Sequence, residues 1–160
     1  MTPAKNPGIT SQNHGFSLVE VLVALLVLSI GLLGLAALQT TSLQYNTGSY
    51  FRTQATFLAY DIIDRMRANL GAVANSDGNG YDQPASTNVT ASTNCDTASC
   101  SSAQLALYDV KKWYDRAVAT LPEAANSPPT IQIDSGNVVT ITINWRERDL
   151  QMRQAWAVQL

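Results

Sequence analysis

The stretch His14–Leu38, HGFSLVEVLVALLVLSIGLLGLAAL, holds one formally charged side chain, Glu20. The rest of it is fit for a lipid bilayer. From Val21 to Leu38 there are 18 residues and no charge. Counted from Phe16, the 23 residues would span about 35 Å as a helix, enough to cross hydrocarbon. A carboxylate in such surroundings is expensive and needs a partner.

Upstream of this run, Met1 to Gly15 is polar. It contains Lys5 and His14, no acid, and helix breakers at Pro3, Pro7 and Gly8. A secretory signal peptide would place a small-residue cleavage site after the apolar core. Here only a faint LAA at Leu35–Ala37 could serve. Lys5 precedes the apolar run, so the positive-inside rule keeps residues 1–15 in the cytoplasm and sends the rest across the inner membrane.

The junction GFSLVEVLVAL resembles the class III signal of type IV prepilins and of type II secretion pseudopilins. The resemblance implies that a prepilin peptidase cuts between Gly15 and Phe16 on the cytoplasmic side and N-methylates Phe16. Glu20 would then be the fifth residue of the mature chain, where the family pattern places an acid. The 15-residue leader is longer than is usual for the short-leader class, but the junction itself is intact. This suggests a partner for Glu20: the new amine on Phe16 of a neighbouring subunit. Two charges that are costly alone offset each other when paired in a low-dielectric bundle. The competing reading is a simple membrane anchor whose acid snorkels to the interface.

Beyond Leu38 the helical period continues. Phe51, Ala55, Leu58, Ile62 and Met66 fall three or four apart, and Ala59 and Ile63 widen the stripe. The spacing predicts that the membrane helix extends outward, with Gly48 as a bend and Gly71 as its stop. Asn75 to Ser102 is a long polar loop with Cys95 and Cys100, the chain's two cysteines. Beside an export-type N-terminus they read as one short disulfide. Two thiols and a distant histidine do not make a zinc site. Asp77, Asn79 and Asp82 offer hard oxygens, but EF-hand spacing is not met, so no metal is expected.

SSAQLALYDVKKWYDRAVATLP reads as a second helix, capped by Ser101 or Ser102 and ended by Pro122. Leu107, Val110, Tyr114, Ala117 and Leu121 form its apolar stripe, with Trp113 at the border and Asp109, Lys112, Asp115 and Arg116 toward water. Lys111, Lys112 and Arg116 make a small basic patch. TIQID and VVTITINW then alternate as strands around an SGN turn, and QMRQAWAVQL supplies a third strand with Met152, Gln154, Trp156 and Val158 on one face. The helix and the hairpin ending VTITINWRE resemble the PilV-type minor pilins, at Trp113, the Leu121-Pro122 pair and Trp145.

The expected fold is therefore α+β, the pilin ladle. A long N-terminal transmembrane and stalk helix packs on a small antiparallel sheet head that carries one additional helix. The expected segments are 1–15 leader, 16–38 membrane and assembly helix, 39–70 periplasmic continuation, and 71–160 globular head. The resemblance implies a structural subunit: a minor pilin that helps prime pilus assembly and sits at or near the tip. Its implied partners are prepilin peptidase, other minor pilins, the major pilin, a tip adhesin and inner-membrane lipid. The implied location is the inner membrane with the head in the periplasm, then the pilus fibre. A minor pseudopilin of a type II secretion system is the alternative, since the first 40 residues are shared chemistry.

Neither an enzyme nor a DNA receptor is favoured. The sequence shows no catalytic constellation, no G-x-S-x-G and no phosphate-binding loop, so neither a catalytic residue nor a cofactor is expected. The net charge is −2 without a long basic run, which argues against nucleic acid.

Overall fold

A computed structural model describes residues 15–73, 80–83 and 89–160. Six elements follow in chain order: α1 Leu18–Ala68, α2 Leu70–Val73, α3 Ser102–Thr120, β1 Thr130–Ile133, β2 Val138–Glu147 and β3 Leu150–Gln159. Contacts divide the chain into two compact units, Met1–Gln44 and Tyr45–Leu160.

In the first unit, α1 exposes every described side chain as far as Gln44. Leu, Val and Ile make up most of that surface, and the helix is long and apolar enough to cross a membrane. Three of its hydroxyls are satisfied by bonding backward along the helix. Ser29 Oγ donates to Leu25 O at 2.7 Å, and Thr40 and Thr41 donate to Ala36 O and Ala37 O at 3.1 Å.

The second unit holds the core. Ala55, Leu58, Ala59, Ile62, Ile63 and Met66 of α1 are buried, on the stripe that the period marks out. They join Ala106, Val110, Trp113 and Ala117 of α3 and the inward residues of the sheet. The sheet is antiparallel in the order β1-β2-β3. Ile131 faces Ile141 across β1 and β2, and Trp145 faces Met152 across β2 and β3. Asp134 Oδ1 shapes the first hairpin by accepting from Gly136 N at 2.9 Å and Val138 N at 2.8 Å. Arg148, in the second turn, takes a left-handed φ of 59° and stacks its guanidinium 5.4 Å from the Tyr45 ring.

α1 is continuous through Gly48, and three expectations are corrected further along the chain. The glycine is buried because Glu147 packs onto it: a Cβ at position 48 would lie 2.6 Å from Glu147 Cδ. The helix stops at Asn69, not at Gly71. Asn69 N–H bonds Met66 O at 3.0 Å, and its side-chain amide reaches Ser102 O at 2.8 Å, tying the chain to the start of α3. Gly71 belongs to α2. Trp113 is the centre of the α3 stripe, 1% exposed, and not its border. Asp109, four residues earlier, is buried with it and not turned to water.

Ser101 caps α3 in a full capping box. Its Oγ accepts from Gln104 N at 3.3 Å and its N–H donates to Gln104 Oε1 at 2.9 Å. Just upstream, Cys95 and Cys100 are joined, with Cα atoms 5.7 Å apart. Replacing both by Ser is expected to destabilise this unit by about 2 kcal/mol, from the closure entropy of so short a loop. Thermal unfolding of the two forms, with the reduced wild type as a third sample, measures it.

Candidate functional site

The sequence points to Gly15, Phe16 and Glu20. Ser17 opens α1: its carbonyl accepts from Glu20 N at 3.0 Å and from Val21 N at 3.3 Å. Glu20 thus falls in the first turn, where the positive end of the helix dipole favours an acid. Phe16 is 84% exposed and lies one helical turn before Glu20. The two line a shallow groove of about 480 Å³ with Val21, Ala24, Leu25 and Leu28. Among the described residues, the Glu20 carboxylate makes no hydrogen bond or ion pair. Among the described residues nothing lies within 4 Å of a Cβ at Gly15, so their packing does not require glycine there. The residues before Gly15, including Lys5 and His14, lie outside the described residues, as do Asp77 and Asn79.

Several polar groups of the Tyr45–Leu160 unit are engaged with one another. Asp82 Oδ1 accepts the Ile133 N–H at 3.1 Å and so anchors the start of the sheet. The basic patch is neutralised residue by residue: Lys111 pairs with Asp115, Lys112 with Asp96, and Arg116 with Asp61. Asp96 also accepts from Tyr108 Oη at 2.6 Å, clamping the disulfide loop onto α3. Lys112, then the Tyr108 hydroxyl, hold the Asp96 carboxyl below its ordinary value; Asp96, then Tyr108, hold the Lys112 ammonium above its own.

One polar cluster is invisible to the periodicity. Asp109 accepts from Arg65 Nη1 at 2.8 Å and from Tyr81 Oη at 2.8 Å. Tyr81 Oη also lies 3.3 Å from Arg65 O, and Arg65 Nε reaches Asp61 at 3.3 Å. Burial, then the bond to Asp109, pushes the Tyr81 phenol well up. The available signal is the Ala106, Asp109, Val110, Trp113 spacing, which puts Asp109 inward once Trp113 is the centre of the stripe. These groups are fully engaged with one another, and the cluster ties α1, α3 and the Tyr81 segment together.

Comparison with known families gives two adjoining matches. Residues 10–36 match the prokaryotic N-terminal methylation motif. Residues 37–111 match the Tt1218-like family, described as type IV pilin Tt1218. No curated protein and no solved structure matches the chain. The matches meet in α1, between its apolar N-terminal stretch and the part that enters the core. Residues 10–111 are thus similar to an N-terminal methylation motif followed by a type IV pilin domain, and the long apolar helix, the three-stranded antiparallel sheet and the extra helix are consistent with an α+β pilin fold.

Proposed function

We propose that this chain is a minor pilin of the PilV type. It is a structural subunit that is cut between Gly15 and Phe16, methylated on Phe16, and held in the inner membrane by α1. It then joins other minor pilins and the major pilin to prime a fibre, with its head at or near the tip beside an adhesin. One observation carries this reading: the Glu20 carboxylate, exposed on an uncovered apolar helix, has no partner among the described residues of its own chain. The amine of Phe16 on an adjacent subunit is the partner that the motif supplies. Pairing selects one axial register, since a shift by one residue leaves both charges bare in lipid. Packing among the described residues places no demand on Gly15, and a peptidase that reads the junction accounts for the glycine. The pilin match over residues 37–111 favours the pilus over the secretion pseudopilin.

Sheared fibres analysed by mass spectrometry test this. The mature chain is expected to begin at N-methylated Phe16. Glu20→Ala should still insert and be processed, yet be missing from the fibres. Normal incorporation of that variant would remove the pairing, and a different mature N-terminus would remove the reading as a whole.

A further inference from the structure

The third strand has an open side. The sheet order ends on β3, and among the described residues only β2 pairs with it. Its hydrogen-bonding phase follows from one bond: Leu160 N donates to Asn137 O at 3.2 Å, one step beyond the Val138–Gln159 pair. Bonded and non-bonded pairs alternate in an antiparallel ladder. The even-numbered residues of β3 therefore spend their N–H and C=O groups on β2. Those of Gln151, Arg153, Ala155, Ala157 and Gln159 face the outer edge. The opposite edge is treated differently, since Gln83 and Ile131 exchange backbone bonds of 2.9 and 3.0 Å across the outside of β1.

An edge of ten residues is usually blunted by proline, bulges or several charges. LQMRQAWAVQ has neither proline nor glycine and a single charge, Arg153. Beside it lies a groove of about 400 Å³, walled by Arg52, Thr53 and Thr56 of α1 and by Met152 and Gln154 of β3, with Trp145 also lining it. Met152, Trp156 and Val158 point to the core side yet stay half-buried. The Trp145 indole Nε1 is buried without an acceptor among the described residues.

We propose that the outer edge of β3 accepts an extended segment of a partner protein as a fourth strand. Its alternate apolar side chains would cover Met152, Trp156 and Val158, and a carboxylate on it would meet Arg153. The chemistry of the occupant follows from charge. Arg153 is exposed and has no ion pair among the described residues. Arg52, across the groove, reaches Glu147 only at 3.7 Å. A second copy of β3 contains no acid and would leave Arg153 unanswered. Main-chain bonds would supply most of the affinity, and the groove and Arg153 the selectivity. This goes beyond the pilin assignment and rests on the head alone.

The test uses the full-length chain in detergent micelles. The probe is a nine-residue peptide of alternating valine and threonine with glutamate at its centre, against the same peptide with lysine there. Amide hydrogen exchange is read residue by residue. The amides of Gln151, Arg153, Ala155, Ala157 and Gln159 should slow by about tenfold or more on saturation. The glutamate peptide should bind roughly threefold tighter than the lysine peptide, and Arg153→Glu should reverse that order. Ala155→Pro deletes an outward N–H and spares the β2 ladder, so it should weaken binding by about tenfold or more. If that variant misfolds, the Arg153→Glu reversal on an exposed side chain still decides. Unslowed amides at millimolar peptide, or equal affinity for both peptides, overturn the proposal. So does a free protein that is dimeric with those amides already slow, because the edge would then belong to a second copy.

Discussion

Trp113→Ala is expected to lower the stability of the Tyr45–Leu160 unit by about 4 kcal/mol, near the upper end for a single core truncation. The indole is 1% exposed, at the centre of a core that draws on α1, α3 and the sheet. Removing it deletes the largest apolar volume on α3 and leaves a cavity that three elements would have to collapse together to fill. Its Nε1 also donates to Leu58 O at 2.9 Å, a buried bond between the two helices. That carbonyl lies inside α1, where helical geometry already pairs it with the N–H four residues on. Trp113→Phe should therefore cost much less, about 1–2 kcal/mol, because no acceptor is orphaned. For a unit of this size the alanine variant should melt roughly 10–15 °C lower. Near-ultraviolet circular dichroism of the full chain in detergent follows the head without interference from the membrane helix.

Asp109→Ala is expected to cost about 2–3 kcal/mol, for a different reason. The carboxylate is buried and accepts from both Arg65 and Tyr81. Without it, the Tyr81 hydroxyl keeps the long contact to Arg65 O and the Asn69 side chain, and Arg65 keeps Asp61. Breaking a fully buried pair costs about 3–5 kcal/mol, but the Arg65 side chain is 31% exposed, so solvent takes up part of its charge. Asp109→Asn keeps one acceptor oxygen and should fall between the two. The same cluster sets an alkaline limit. The Tyr81 phenol titrates above its ordinary value of 10.0 in the folded chain, so the folded state holds a proton that the unfolded state has lost. The stability this contributes is complete below pH 10 and declines as pH rises beyond it. In Tyr81→Phe that part of the alkaline decline should be absent. A decline unchanged from wild type would show that other groups cause it.

Much of this molecule is legible in its residues taken in order. The apolar run after Gly15, the single acid at Glu20, the α1 stripe from Ala55 to Met66 and the alternation of β2 and β3 are all local patterns. Each reports one face of one element, and a face is what periodicity measures. The places where sequence and structure part share a cause. Gly48 reads along the chain only as a loosening of the helix, and that it seats the Glu147 side chain, ninety-nine positions later, is not in that reading. Carboxylates usually go to water, yet Arg65 and Tyr81 wait for Asp109 on other elements. Asn69 ends α1 ahead of the expected glycine because its amide finds Ser102.

The order of amino acids alone determined where the chain is oily, where an acid interrupts the oil, and which segments coil or extend. Those properties belong to single segments and to short-range sterics and solvation. Only the tertiary structure decided which polar groups are buried, which glycine serves as a seat, how Trp113 joins two helices, and which strand edge is left unpaired. Each of these depends on two residues far apart in the chain meeting in space, and no period along one segment encodes such a meeting.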